Sequence, residues 1–505
     1  MCGIVCLFGE KKSIPKNLLT HRGPDDFRSE TLGKCQIDYY RLAINDLSSA
    51  AMQPFKKYNT LFACNGEIYN YRDFLNGDET SLSDCEPVHK WMKTFGPHTA
   101  MTQMRGDYAF VYTEGDHVIA GRDRAGVRPL FYSKYAPDSI AFASEAKALQ
   151  WLGAKIEVFP PGAFYDSRID GFVSVFKNYW KVMNLHSSFV NLNKYLEDAV
   201  KVRLALSDRA TGFLLSGGLD SSLVCAIAQK IRFPTQIQTF SIGLKGSPDL
   251  EAARKVAEHI GSLHKEVHFT VEEGLAAVPS VIEAIESYDC TTVRASVPMY
   301  LLCKWIKENT DCRYIFSGEG SDELLGGYLY FKNAPSMDAF SMENARRLRL
   351  IHQFDGLRAD RCCAAHGLDL TVPFLDIEFI EKVMTIDQKL KMTGVEKELL
   401  RKSFEGYLPE DILWRQKDAF SDAVGSEWVH ALRKIGDTMG DEHFENIQTI
   451  CKGKNAPLTK EEAHYRELFW FKFCSKNDHL ISEIWRPKWT TVTDPSARLL
   501  IENKQ

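Results

Sequence analysis

The second half of the chain alternates short apolar runs with longer amphipathic segments, and this alternation restricts the fold more than any other feature. Apolar runs such as TGFLL, IQTFSIGL and RYIF are separated by segments with helical spacing. Parallel strands need crossover connections, which are usually helices. The pattern therefore predicts an α/β domain in which a parallel sheet carries helices on both faces.

Two helices of this half have recognisable start signals. Ser247 is placed to cap a helix with Pro248 in its first turn, and Gly261 follows the last periodic residue. Thr270 and Glu273 have the spacing of a capping box, in which each side chain satisfies a backbone N–H of the other residue. We expect helices to begin at both places.

The first half of the chain has a different pattern of apolar and turn residues. Residues 1 to about 185 consist mostly of short β runs separated by Gly, Asp and Asn turns, with few helical segments. This pattern predicts an α+β domain built on antiparallel sheet. For a chain of 505 residues two or three domains are expected, and we predict domains at residues 2–185 and 190–505.

Bulk composition excludes several classes of function. The net charge is −5 and no long basic run occurs, so nucleic acid is not an expected partner. Apolar runs are broken by charge within about ten residues, which argues against a membrane span. The first residues lack the pattern of a signal peptide. Thirteen cysteines without framework spacing fit reduced thiols in the cytoplasm.

The segment LLSGGLDSS, residues 214–222, lies where a predicted strand meets a helix. Gly217 and Gly218 let backbone N–H groups approach an anion, and hydroxyl donors follow. Asp220 would repel phosphates unless a metal such as Mg²⁺ lies between them. The hydroxyl donors are Ser216, Ser221 and Ser222. The pattern favours an ATP-binding loop that releases pyrophosphate, although a tight turn with a capping Asp is the structural alternative.

A second acidic loop, FSGEGSDELLGG, also follows a predicted strand. In an open parallel sheet both loops would lie at the carboxyl ends of strands, where ligands bind. Asp220 and Asp322 could then share one Mg²⁺–pyrophosphate unit, with Glu319 in the same crevice as a group for proton transfer. Alternatively, Asp322 and Glu323 complement the dipole of a helix N-terminus.

Cys2 directly follows the initiator methionine, and two interpretations are open. CGIVCLF has the apolar character of a buried strand. If Met1 is removed, however, Cys2 carries a thiol and a free α-amine, whose ordinary pKa of about 7.7–8.0 suits a general base. That is the N-terminal nucleophile (Ntn) arrangement, which needs no catalytic histidine.

Other residues of the first half could hold an amino acid beside Cys2. Arg41 suits a carboxylate, and Asp84 or Glu67 suits an ammonium group. Asn65 and the Gly66 N–H are candidate oxyanion donors. Taken singly, Arg41 fits a surface ion pair and Asn65-Gly66 fits a hairpin turn. Together with Cys2 they favour a glutamine site.

These motifs together resemble the glutamine-hydrolysing asparagine synthetase family over nearly the whole chain. MCGI, HRGPDD, NGEIYNY and RDRAGVRPLFY resemble its class II glutamine amidotransferase domain. LLSGGLDSS, TTVRASVPMY, FSGEGSDELLGG and RQKDAFSDAVG resemble its ATP-pyrophosphatase-type synthetase domain. The resemblance implies that Cys2 releases ammonia from glutamine. Ammonia would then pass through an internal channel and displace AMP from β-aspartyl-AMP, which is formed from aspartate and ATP.

The resemblance also assigns residues that pattern alone does not. Glu319 would act as acid and base, and Lys417 would steady the α-phosphate in the transition state. Residues implied to contact ATP are Leu215, Ile242, Ser317 and Gly318, and those implied to contact aspartate are Thr291, Thr292 and Arg294. ATP and Mg²⁺ are the implied substrate and cofactor. Because family members often pair, a homodimer is one implied arrangement.

Two rival functions use the same residues. One is a related amide-forming synthetase or amidotransferase with a different carboxylate acceptor. Cys2 argues against members that have lost the nucleophile, and the TTVRAS stretch favours aspartate. The other is a catalytically idle regulatory protein, which would be expected to have lost Cys2, Asp220, Glu319 or Asp322. All four are present.

Overall fold

The N-terminal region forms two antiparallel sheets. The computed structural model describes residues 1–176, 191–416, 425–453 and 455–491. The strands described in this region are β1 (Gly3–Phe8), β2 (Asp26–Leu32), β3 (Cys35–Arg41), β4 (Phe55–Lys57), β5 (Thr60–Ile68), β6 (Gly106–Glu114), β7 (His117–Arg122), β8 (Phe131–Ala136), β9 (Ser139–Ala143), β10 (Glu157–Val158), β11 (Ala163–Asp166) and β12 (Gly171–Ser174). The first sheet has the order β10-β8-β9-β1-β3-β2 and the second β12-β11-β7-β6-β5-β4. The predicted antiparallel architecture is confirmed.

Strand β1 lies inside its sheet and is buried along its whole length, between β3 and β9. Ile4 and Cys6 pack into the core shared with the second sheet. Val5 and Leu7 pack into a core that extends into the C-terminal half of the chain. A strand covered on both faces is apolar throughout, so the buried-strand interpretation of CGIVCLF is correct and leaves the Ntn interpretation open.

The C-terminal region contains a parallel sheet. Its described strands are β13 (Ala210–Leu214), β14 (Gln238–Gly243), β15 (Leu263–His268), β16 (Cys312–Phe316) and β17 (Asp369–Thr371). Their order is β15-β14-β13-β16-β17, with every pairing parallel. The strand order therefore reverses between β13 and β16, and a crevice opens at such a switch point beyond the carboxyl ends of the strands.

The helices connect and cover these sheets. Those described are α1 (Glu86–Gln103), α2 (Leu192–Leu204), α3 (Leu219–Arg232), α4 (Pro248–Ile260), α5 (Val271–Ile285), α6 (Cys290–Asn309), α7 (Ser321–Leu325), α8 (Met337–Leu350), α9 (Asp355–Ala364), α10 (Ile377–Met384), α11 (Glu398–Ser403), α12 (Glu410–Leu413), α13 (Ser426–Asp437), α14 (Asp441–Ile450) and α15 (Lys460–Phe473). Helix α4 begins after Ser247 and ends before Gly261, whose φ is +71°. Both hydrogen bonds of the Thr270–Glu273 capping box are present at the start of α5. The two helix starts predicted from sequence are confirmed.

The two regions share buried ionic contacts. Arg22 donates to Glu145 (2.9 Å) and to Asp360 (3.0 Å) of α9. Glu286, at the end of α5, accepts hydrogen bonds from the Ala146 and Lys147 N–H groups. The predicted boundary at 185–190 lies in the segment 177–190, outside the described residues. The cysteines are all free, and none of the described helices is long and apolar enough to cross a membrane.

Candidate active site

The two acidic loops meet at the switch point of the parallel sheet. Residues 215–218 follow β13 and lead into α3, and residues 317–320 follow β16 and lead into α7. A Cβ on Gly318 would lie 2.7 Å from the Ser221 backbone nitrogen. Only a glycine lets the loops approach this closely, so they form one wall of a single cavity.

The first loop is organised around its glycines and hydroxyls. Gly217 has φ +75°, and a Cβ there would lie 2.5 Å from Ala252 Cβ. Ser221 Oγ accepts a hydrogen bond from the Ser216 N–H (3.2 Å), and Ser216 Oγ accepts one from the Gly218 N–H (3.3 Å). Two backbone donors thus already bond to hydroxyls, and a bound phosphate would take the place of those hydroxyls as acceptor.

Most residues predicted to bind ATP line this cavity. They are Leu215, Ser216, Gly218, Asp220, Ser221, Ile242, Ser317 and Gly318, together with the predicted acid and base Glu319 and the predicted metal ligand Asp322. Gly217 lies in the loop behind the lining, and its carbonyl accepts from Arg415 (3.3 Å). Ser222 is fully buried in α3.

Asp220 and Asp322 converge as predicted, and a lysine lies between them. Lys397 Nζ is 2.6 Å from Asp220 Oδ2 and 2.6 Å from Asp322 Oδ1. The other carboxylate oxygen of Asp220 is buried and has no hydrogen-bond partner among the described residues. Two carboxylates with a spare oxygen fit Mg²⁺, which is typically held by one or two carboxylates plus substrate phosphates.

Glu319 faces a buried cation. Its carboxylate lies 2.9 Å from Arg358 Nη2, and that guanidinium also pairs with Asp355 (2.7 Å). Glu323 behind it is buried beside Asp355 and Asp322, and burial followed by those charges raises the pKa of Glu323 to about 8. The Tyr328 hydroxyl lies within hydrogen-bond distance of both Glu323 and Asp355. A network of charges therefore fixes the predicted proton-transfer group.

Of the residues predicted to contact aspartate, only Thr291 lines the cavity. Its Oγ1 is buried without a hydrogen-bond partner among the described residues. Thr292 Oγ1 donates to Asp289, the cap of α6 (2.7 Å). Arg294 donates two hydrogen bonds to the buried Glu461, at 2.8 and 2.6 Å. The structure does not bring Thr292 and Arg294 into the lining, and the predicted Lys417 lies outside the described residues.

The predicted glutamine half-site lies just before the first residue of β1. Cys2 Sγ accepts from the Leu42 N–H (3.4 Å), and its own carbonyl accepts from Arg22 (2.9 Å). Burial raises the pKa of the Cys2 thiol. The α-ammonium group here belongs to Met1, donates to the Leu368 carbonyl (3.2 Å) and lies 3.7 Å from Asp369. Burial lowers the pKa of this amine.

Asn65 and Gly66 lie within β5, not in a hairpin turn. Both polar side-chain atoms of Asn65 are buried without a hydrogen-bond partner among the described residues. Gly66 has φ +152°, and a Cβ there would collide with the Asp107 carbonyl. Buried amide atoms are normally satisfied, so an unpaired Asn65 indicates a place prepared for a ligand.

The remaining predicted glutamine contacts are buried. Arg41 donates to the carbonyls of Asp46 (2.5 Å) and Ser48 (2.8 Å), which excludes the surface ion pair considered as an alternative. Glu67 pairs with Arg128, and its pKa is raised by burial. Asp84 accepts from the Ile68 N–H (2.7 Å), and burial raises the pKa of Asp84 to about 7.

Sequence reasoning missed Lys397, Arg358 and Asp355 in the cavity, and Arg22 beside Cys2. Arg22 belongs to the motif HRGPDD, which was noted without a role for the arginine. Arg358 lies in α9 and Lys397 directly precedes α11, both far in the chain from the two loops, and neither belongs to a motif that the sequence analysis used. Only the fold brings them to the site.

Comparison with known proteins gives consistent matches. The profile of the family described as asparagine synthase matches residues 191–349 and 335–485, and that of the glutamine amidotransferase domain matches residues 1–163. An asparagine synthetase (glutamine-hydrolysing) of Homo sapiens is 41% identical over 561 aligned positions, covering 100% of this chain and 99% of that protein. A probable asparagine synthetase (glutamine-hydrolysing) of Acanthamoeba polyphaga mimivirus is 38% identical over 552 positions, covering 99% and 100%.

Proposed function

The chain belongs to the family of glutamine-hydrolysing asparagine synthetases, and on that premise we propose that it makes asparagine through β-aspartyl-AMP with ammonia taken from glutamine. The observation that carries the proposal is the convergence of Asp220, Asp322 and Glu319 at one switch point. A metal–pyrophosphate site and a proton-transfer group are thereby adjacent, as adenylation followed by ammonia attack requires.

The glutamine step begins at Cys2. After removal of Met1, the α-amine of Cys2 takes the thiol proton and the sulfur attacks the amide carbon of glutamine. The Asn65 side chain and the Gly66 N–H stabilise the developing oxyanion. The amine returns the proton to the leaving nitrogen, ammonia departs, and water hydrolyses the thioester to glutamate. The unpaired atoms of Asn65 support this role.

The buried charges near Cys2 bind the rest of glutamine. Arg41 holds the α-carboxylate, while Asp84 and Glu67 face the α-ammonium group. For Arg41 this requires that the substrate compete with the carbonyls of Asp46 and Ser48, which now accept its hydrogen bonds. Side chains that are already buried and oriented lose little entropy on binding.

In the synthetase step, a side-chain carboxylate oxygen of aspartate attacks the α-phosphorus of ATP, and the bond to pyrophosphate breaks. When bound, Mg²⁺ supplies positive charge to the phosphates, and Asp220 and Asp322 would hold it. The loop residues Ser216, Gly218 and Ser221 orient the phosphates. Lys417 is assigned to the α-phosphate by resemblance alone.

Ammonia then attacks the acyl carbon of β-aspartyl-AMP, and AMP leaves. Glu319 accepts the proton that the attacking nitrogen loses, and Arg358 holds its carboxylate in place. Passage of ammonia between the sites is supported by their shared neighbour β17. The Met1 amine contacts residues 368 and 369, and the Ser317 N–H donates to the Thr371 carbonyl (3.0 Å).

The test is incubation of the purified full-length protein with glutamine, aspartate, ATP and Mg²⁺. We expect asparagine, glutamate, AMP and pyrophosphate in equal amounts, and ammonium chloride should replace glutamine. Absence of AMP would refute the adenylation step. Formation of AMP with another carboxylic acid but not with aspartate would instead favour a synthetase with a different acceptor, an outcome made relevant by the positions of Thr292 and Arg294 outside the cavity lining.

A further inference from the structure

Lys397 is the group that holds the two metal-binding carboxylates together. Its Nζ lies 2.6 Å from an oxygen of each carboxylate, and its side chain is only 2% exposed. Asp220 and Asp322 are themselves 14% and 13% exposed. The ammonium group therefore stands in the space where a bridging cation would have to be.

The chain places this lysine at a conformational cost. Lys397 has φ +55°, a left-handed conformation that residues other than glycine and asparagine rarely adopt. It directly precedes α11, where a positive charge opposes the helix dipole. A Cβ on Gly327 would collide with Lys397 Cε and with Asp322, so a neighbouring glycine makes room for the side chain. Strain of this kind at a site points to a functional role for the residue.

The protein alone offers a divalent cation few ligands. Among the described residues there is no group of three or more His, Cys, Asp or Glu side chains that could hold a metal. Asp220 and Asp322 supply carboxylate oxygens, and the Lys397 ammonium already compensates part of their charge. A bare cation would have to displace that ammonium and would find too few oxygens. Mg–ATP brings phosphate oxygens that complete the coordination and also accept hydrogen bonds from a lysine.

We propose that Lys397 fills the position of the divalent cation in the nucleotide-free enzyme and moves onto the pyrophosphate oxygens when Mg–ATP binds, so that metal enters only with nucleotide. This inference rests on the assignment of Asp220 and Asp322 as metal ligands in the proposed function. It adds a substrate-binding residue and an order of binding that the assignment alone does not require.

The test is direct binding of Mn²⁺, counted as loss of the free-ion electron paramagnetic resonance signal, to the full-length protein without nucleotide. The wild-type protein should bind Mn²⁺ weakly. Lys397→Met should bind it at least about tenfold more tightly, because two carboxylates lose their internal counter-ion. Lys397→Arg, which keeps the charge, should behave like wild type. Adding Asp220→Asn to Lys397→Met should remove the gained site.

Pyrophosphate binding provides the second half of the test. In the presence of Mn²⁺, inorganic pyrophosphate should bind the wild type more tightly than Lys397→Met, by about tenfold or more. Equal Mn²⁺ affinity in the nucleotide-free wild type and Lys397→Met, or pyrophosphate affinity unaffected by the substitution, would overturn the proposal. If Lys397→Met does not fold, Lys397→Gln removes the charge and retains most of the stem, and the same outcomes apply.

Failure of the proposed function would look different. In that case the wild-type protein would form no AMP with aspartate, or would not bind Mn–ATP at all, whatever residue stands at position 397. The wild type could instead bind Mn–ATP and make asparagine, yet bind Mn²⁺ alone as tightly as Lys397→Met does. That result would refute the proposed role of Lys397 and leave the proposed function standing.

Discussion

The two half-sites are built in opposite ways. The proposed glutamine half-site is formed by residues in or next to strands: Cys2 precedes β1, Arg41 ends β3, and Asn65 to Glu67 lie in β5. The ATP cavity is formed by loops and helix starts around the switch point, together with Arg358 of α9 and with Lys397, which directly precedes α11. The first site is set by strand register, and the second by how separate elements pack.

Their polar groups also differ before any substrate binds. Asn65 has two buried polar atoms without a partner among the described residues, whereas Asp220 and Asp322 are bridged by Lys397 and Glu319 is paired with Arg358. An unpaired amide costs less than an unpaired buried charge. The Asn65 amide can therefore remain without a partner until a ligand binds. The carboxylates of the ATP cavity need internal counter-ions until a metal–phosphate complex binds.

The largest effect is expected at Cys2. Cys2→Ala should reduce glutamine hydrolysis by a factor on the order of 10⁴ or more, because the nucleophile is lost. Ammonium-dependent asparagine formation should be retained, since the substitution does not change the ATP cavity. Glutamate release and asparagine formation are measured separately. Cys6→Ala, four residues further along and within β1 but without a neighbouring free amine, is the matched control and should keep both activities. Equal loss of both activities in Cys2→Ala would contradict the division into two sites.

Glu319 should give the reverse result. Glu319→Ala should slow asparagine formation by roughly 10²–10⁴-fold, the usual contribution of a positioned acid or base, and leave glutamine hydrolysis intact. Both rates are followed with glutamine as nitrogen source. Glu308→Ala, at an exposed position on α6, should change neither rate. Loss of glutamine hydrolysis in Glu319→Ala would show that the glutamine half-site and the ATP cavity do not act independently.

Substitution of Asn65 tests whether a buried polar group without a hydrogen-bond partner serves catalysis and not stability. Asn65→Ala should lower the kcat of glutamine hydrolysis by roughly 10²–10³-fold, the usual effect of losing one oxyanion donor. The substitution should change the free energy of unfolding little, because removing the Asn65 amide leaves no other buried group without its hydrogen-bond partner. Gln53→Ala is the converse control, since Gln53 donates to the Tyr39 hydroxyl (2.9 Å) and accepts from the Cys64 N–H (2.7 Å). It should lower the free energy of unfolding by about 1–3 kcal/mol. The two effects are separated by steady-state kinetics and denaturant unfolding.

The different construction explains what sequence could predict. Short motifs predict Cys2, Arg41, Asn65, Gly66, Glu67 and Asp84 as site residues, because a motif marks its residues without reference to how the rest of the chain folds. The meeting of the two acidic loops was predictable for another reason: parallel strands bring their carboxyl ends to one edge of the sheet. The fold class followed from the same alternation of segments.

Long-range packing was not predictable. Nothing local in sequence shows that Lys397 reaches Asp220, 177 residues away in the chain. The same holds for Arg294: its motif was linked to aspartate by resemblance, but its guanidinium is bound by Glu461, 167 residues further along. Charge pairing across such separations depends on how helices pack, and sequence patterns with a period of two or 3.6 residues carry no information about it.

The smallest expected effect is a pH dependence at the glutamine half-site. Burial raises the pKa of Asp84 to about 7, and only the ionised carboxylate attracts the α-ammonium group of glutamine. Lowering the pH from 8 to 6 should therefore raise the KM for glutamine by roughly tenfold, following the ionised fraction. The KM for aspartate should not share this dependence. In Asp84→Asn the KM for glutamine should be high and nearly independent of pH, and an unchanged dependence in that variant would assign the titration to another group.

The same carboxyl group should affect stability with a definite sign. The pKa of Asp84 in the folded protein, about 7, lies above its ordinary value of 3.8, so the folded state binds the proton more tightly than the unfolded state does. Its contribution to the free energy of unfolding is fully present below pH 4 and is lost as the pH rises through 7, with a magnitude on the order of 4 kcal/mol. Asp84→Asn should therefore be more stable than wild type at pH 8 and approach it at lower pH, by thermal unfolding. A variant less stable than wild type at pH 8 would mean that the Asp84 carboxylate is compensated, as the carboxylates of the ATP cavity are, and the contrast between the two half-sites would not hold at this residue.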